Sequence, residues 1–100
     1  MIKHIVMWKL KDNAEGENKI TNANKIKKLI EDLKELISEI KFIEVGINIK
    51  EGSQAYDIVL NSEFSSLEDL DSYQKNKKHL EVAKFISKVS EERAVVDYRI

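Results

Sequence analysis

The apolar residues of this chain change their spacing in a fixed order, and that order leaves few folds open. In IKHIVMWKL, residues 2–10, alternation puts Ile2, His4, Val6, Trp8 and Leu10 on one face and Lys3, Ile5, Met7 and Lys9 on the other, as in a strand. After the turn-like KDNAEGEN, Ile20, Ile26, Leu29, Ile30, Leu33, Leu36, Ile37 and Ile40 recur at threes and fours between Lys and Glu. That spacing predicts an amphipathic helix over roughly 18–39. FIEVGINI, residues 42–49, alternates again, with Ile43, Val45, Ile47 and Ile49 on one side. Gly46 lies opposite, where a bulge or a close backbone approach is expected. KEGSQA supplies a turn, and YDIVLNSEF, residues 56–64, sets Tyr56, Ile58, Leu60, Ser62 and Phe64 against Asp57, Val59, Asn61 and Glu63. These two runs predict an antiparallel hairpin. Ser65 and Glu68 have capping-box spacing, so a second helix starts there, and Leu67, Leu70 and Tyr73 continue it as its apolar, inward positions. Asn76 suits a cap, and the helix is expected to break at it and restart with Val82, Phe85, Ile86 and Val89 inward. AVVDYRI, residues 94–100, is the last strand.

Strand, helix, strand, strand, helix, strand, joined by short right-handed connections, is an α+β arrangement. It predicts a ferredoxin-like βαββαβ layer over residues 1–100, one domain whose four-stranded antiparallel sheet carries both helices on one face. The other face stays bare. Ile5, Met7, Val59 and one alternating set of the last strand lie on it, and an apolar face without helices calls for a second sheet, most simply from an identical subunit. A chain of 100 residues buries only about 60–65% of its extended surface, which also favours a homodimer.

Composition removes several functions. Seventeen Lys and Arg against eighteen Asp and Glu give a net charge of -1 with no basic block, so nucleic acid is not an expected partner. Cysteine is absent, which excludes disulfides and thiolate chemistry and makes the cytoplasm the default location. No signal-like or membrane-length apolar run is found, so a membrane is not an expected partner either. The two histidines lack HxH, HxxxH or HExxH spacing, and neither a metal nor another cofactor is expected.

Those two histidines are the informative residues. His4 shares its face with Val6 and Trp8 and points at the helices; His79 stands three, four and seven residues before Val82, Ala83 and Ile86, on the apolar stripe of its helix. Tyr73 closes the apolar face of the preceding helical piece. Singly, each has an ordinary structural use: a buried imidazole satisfied by one carbonyl, a tyrosine with a wet hydroxyl, a rim residue among lysines. Together, at one end of the space between sheet and helices, they suit proton abstraction beside a carbonyl. Lys75, Lys77 and Lys78 either attract an acidic substrate and lower the imidazole pKa or are simply solvated. Asp97 either bonds a neighbour or serves an interface.

The opening IKHIVMWKLKD, the YxxxxxH of Tyr73 and His79, and the closing VVDYRI resemble the stress-responsive A/B barrel (Dabb) family over nearly the whole chain. The resemblance implies a dimeric α+β barrel of two ferredoxin-like layers. Members commonly read YxxHPxH in the middle motif; here Asn76 and Lys77 replace the His-Pro, keeping a helix start while losing one imidazole. In a plant polyketide cyclase of the family, the matching strand histidine, tyrosine and last motif histidine serve an aldol ring closure. Carried over, the candidate catalytic residues are His4, Tyr73 and His79, with His79 as base.

The leading expectation is a homodimer with a small apolar pocket for an apolar or carbonyl-containing molecule. A cyclase or lyase working by proton transfer and a non-catalytic structural oligomer are the alternatives.

Overall fold

The alternation of β1 (Ile2–Leu10) is realised residue by residue. Its inner row, Ile2, His4, Val6, Trp8 and Leu10, is buried, while its outer row is half-buried or exposed. In this computed structural model, which describes residues 1–100, there follow β2 (Asn13–Ala14), β3 (Glu17–Asn18), α1 (Lys19–Leu36), β4 (Ile40–Ile47), β5 (Ile58–Phe64), α2 (Leu67–Lys75), α3 (Lys77–Val89) and β6 (Ser90–Arg99). The large sheet has the order β4-β5-β1-β6, every pair antiparallel. The architecture is α+β and ferredoxin-like.

Several boundaries differ from expectation for identifiable reasons. The polar KDNAEGEN segment holds the β2–β3 hairpin, whose two turn residues both have positive φ, Glu15 at 51° and Gly16 at 79°. That is type I′ geometry, reached here without the Asn-Gly or Asp-Gly signal that usually marks it. Buried Asn22 ties the hairpin to α1 by donating from Nδ2 to the Ala14 carbonyl at 3.0 Å. Because that end of α1 faces the hairpin, Asn22 and Ala23 are buried there while Ile20 is exposed. At the other end Ile37 turns inward as the C-cap and leaves Leu36 outside.

β4 begins at Ile40 rather than 42 and ends at Ile47, so Ile49 is 99% exposed. Its register shift falls between Ile40 and Phe42, not at Gly46. What Gly46 supplies is room, because a Cβ there would meet Val59 Cγ1 of β5 at 3.2 Å. The second helix is capped by Ser66, not Ser65: its Oγ accepts from the Asp69 amide at 3.1 Å. Leu67, expected to be inward, is exposed. Asn76 does interrupt the helix, and its Oδ1 accepts from the Lys78 amide at 2.8 Å to start α3. β6 starts at Ser90, four residues before the expected 94.

Two packed groups fill the space between sheet and helices. One joins Val6, Trp8 and Leu60 of the sheet to Ile26 and Ile30 of α1 and Ile86 and Val89 of α3. The other joins Ile2 and Phe64 to Leu33, Ile37, Leu70 and Tyr73. The uncovered face of the sheet carries Met7, Phe42, Val96 and Tyr98 exposed and Ile5 and Val59 half-buried. No helix is long and apolar enough to cross a membrane.

Candidate active site

β1 sets His4 on the inner face, 2% exposed, directly across the ladder from Asp97 of β6. Its Nδ1 is hydrogen-bonded to Asp97 Oδ1. A carboxylate only accepts, so Nδ1 of His4 carries a proton and donates it to Asp97. Of the two uses open to Asp97 in the sequence, the chain shows the bond to a neighbour.

Tyr73 sits on the inward face of α2 and is 1% exposed. Its ring packs on Phe64, with centroids 4.9 Å apart, and on His79, at 4.4 Å and an interplanar angle of 50°. The His4 ring meets it edge-on at 6.3 Å. Burial pushes the phenol pKa far up, and the nearby Arg93 charge offsets only part of that. The hydroxyl therefore stays protonated and acts as a donor.

The position of His79 follows from the break at Asn76. A helix leaves its last four carbonyls without partners, and stopping α2 at Lys75 frees the Gln74 carbonyl. His79, in the first turn of α3, bonds that oxygen through Nδ1 at 3.1 Å. The carbonyl can only accept, so His79 is an Nδ1–H tautomer with a free Nε2 lone pair. Burial lowers its pKa below the usual histidine value; the Gln74 carbonyl opposes this, and the positive fields of His4 and Arg93 reinforce it. The ring is neutral near pH 7. The neighbouring lysines are not among the causes, and Lys75 is instead paired with Asp71 at 2.9 Å.

His4, Tyr73 and His79, from three different elements, thus line one cavity of about 160 Å³. Val6, Trp8, Ile30, Leu33, Leu60 and Ile86 form its apolar wall, and Ser87, Ser90 and Arg93 add polar groups. The Tyr73 ring lies against both imidazoles, each of them tied by its own Nδ1. No three His, Cys, Asp or Glu side chains converge as a metal site would need. Sequence reasoning missed Arg93 and the Gln74 carbonyl. The first could have been found from the parity of β6, since Arg93 and Asp97 alternate onto the same face as Val95.

The family model of the Stress responsive A/B Barrel Domain matches residues 2–100. The chain belongs to this family. Among solved structures, this Dabb chain is similar to a dimeric protein of unknown function and ferredoxin-like fold from Bacteroides fragilis, with 39% identity over 99% of this chain and 95% of that one and a TM-score of 0.89. It is also similar to a protein from Arabidopsis thaliana, with 25% identity, 100% and 95% of the two chains covered and a TM-score of 0.82. A hydroxynitrile lyase from Passiflora edulis shares the fold at 20% identity, 99% and 92% coverage and a TM-score of 0.82. Among curated proteins, none matches the sequence.

Proposed function

We propose that this Dabb chain is a cytoplasmic homodimer that binds a small carbonyl-containing molecule in the cavity of each subunit. The observation that carries the reading is the cavity itself, an apolar space into which a buried phenol and two imidazoles, each anchored through Nδ1, are brought. Polar groups few in number on an apolar wall are what orient a small ligand. The dimer is supported by the apolar outer face around Met7 and Val96 and by the dimeric state of the Bacteroides fragilis relative.

A second reading, proton-transfer catalysis, is favoured by His79. A neutral imidazole anchored at Nδ1 and free at Nε2 is a general base poised for use. In this reading His79 takes a proton from the carbon beside the ligand carbonyl, and the oxygen gains negative charge while accepting a bond from the Tyr73 hydroxyl. His4, held by Asp97, orients the ligand. Attack of the resulting enolate carbon on a second carbonyl of the same molecule forms a carbon–carbon bond, and the proton returns to the new alkoxide. That is an aldol cyclisation.

Thermal shift and deuterium exchange test both. 2-Hexanone should raise the Tm of the protein by mass action, and the cavity-filling Ala83→Phe should remove that shift. No shift with any small ketone would contradict binding and leave a structural oligomer. In D₂O the protein should speed exchange of the α-hydrogens of 2-hexanone, and His79→Gln should abolish the acceleration. Unchanged exchange in His79→Gln would exclude His79 as base.

A further inference from the structure

β6 brings an arginine to the face of the sheet that meets the cavity. Arg93 pairs with Trp8, Val95 with Val6 and Asp97 with His4, and because Trp8, Val6 and His4 all point inward, so do their partners across the ladder. Two of these three inward β6 residues are charged, and their situations differ. Asp97 is engaged with His4. Arg93, four residues earlier and so about 13 Å away along the strand, makes no ion pair and no side-chain hydrogen bond within the chain. It is exposed, yet it lines the cavity together with Tyr73, His79 and Ser90.

We infer that Arg93 is the anion-recognising group of this pocket, and that the ligand is a small aliphatic carboxylate whose head meets the guanidinium while its body lies along the apolar wall. The inference rests on the cavity being a binding site and names the class of molecule it takes. The chemistry is specific to the residue type: a guanidinium presents a planar fork of donors that matches a carboxylate in two parallel hydrogen bonds, which an amide of the same shape cannot match with charge. Among the groups around the cavity, Tyr73 and His79 are neutral and Asp97 is engaged with His4, so no carboxylate lies within ion-pair distance of Arg93 and its guanidinium is left unpaired at the cavity. Its field already reaches the reacting end, since it lowers the pKa of both Tyr73 and His79. The cavity, about 160 Å³, is smaller than the roughly 300–1,000 Å³ typical of drug-sized ligands, so a short chain is the fitting body.

The test compares hexanoate with hexanamide, two probes of nearly the same shape that differ in charge, by NMR titration of the wild-type protein, Arg93→Gln and Arg93→Lys at pH 7. Binding in the cavity is read from the ring signals of Tyr73 and His79. Wild type should bind hexanoate about tenfold more tightly than hexanamide, as expected for one charge-assisted pair. Arg93→Gln should remove the difference while leaving hexanamide binding intact, and Arg93→Lys should keep part of it. Equal binding of the two probes to wild type, or a preference that survives Arg93→Gln, would overturn the role of Arg93 while leaving the pocket reading in place. If neither probe moves the ring signals of the wild type, the pocket reading falls and this inference falls with it.

Discussion

His79 donates from Nδ1 to the carbonyl oxygen of Gln74 at 3.1 Å, so the last turn of one helix fixes the tautomer of a ring in the first turn of the next. That link depends on the interruption at Asn76, which both ends α2 and caps α3. An unbroken helix would have used the Gln74 carbonyl for its own ladder.

Removing the cap should therefore have two effects. Asn76→Ala should cost about 1 kcal/mol in urea unfolding, the usual value of a lost N-cap side chain. The same variant should weaken the His79–Gln74 bond, seen as a mixed tautomer in imidazole ¹⁵N spectra. Asn76→Asp, which keeps an accepting oxygen, should restore both.

Stability should depend on pH through His79. Its pKa is lowered on folding, so between the folded value and the unfolded value of about 6.5 the unfolded chain binds more protons. The contribution is complete above the unfolded pKa and is lost as pH falls through it toward the folded value. Urea unfolding between pH 7.5 and 5 should show a steeper loss of stability in wild type than in His79→Gln. Equal slopes would contradict the lowered pKa.

Asp97 holds a histidine that is almost fully buried. Asp97→Ala leaves the His4 Nδ1–H without its partner and should cost about 1–3 kcal/mol, the penalty for stranding a buried donor. Asp97→Asn, whose side-chain oxygen still accepts, should cost less. If the alanine variant unfolds at the same urea concentration as wild type, the bond has no structural weight.

The open face of the sheet makes its own prediction. Met7→Lys places a charge amid Ile5, Val59 and Val96, and in a homodimer it would be desolvated without a partner. Sedimentation should show wild type as a dimer and Met7→Lys as a destabilised monomer. A wild-type monomer would show that the open face does not pair two subunits.

The architecture was legible because β1 and β5, the two central strands, alternate cleanly; His4 and its inward neighbours are buried as their parity required. The sequence carried Asn76 for a similar reason, since a capping residue in mid-helix has few other uses. What it could not carry were relations fixed only by tertiary packing. The β2–β3 turn adopts positive φ at Glu15, a residue type that gives no warning of it. Ser65 and Ser66 offer the same hydroxyl one residue apart, and only the path of the chain decides which one caps. The partnership of Asp97 with His4, and the inward turn of Arg93, depend on the pairing register of β1 and β6, which joins the two ends of the chain.

The chemistry of the cavity turns on the state of one ring, and imidazole ¹⁵N spectra of the histidine-labelled protein at pH 7 report it directly. His79 should be neutral, with its proton on Nδ1, and added 2-hexanone should shift its Nε2 signal together with the Tyr73 ring signals. A charged ring, a proton on Nε2, or signals that ignore the ketone would contradict this.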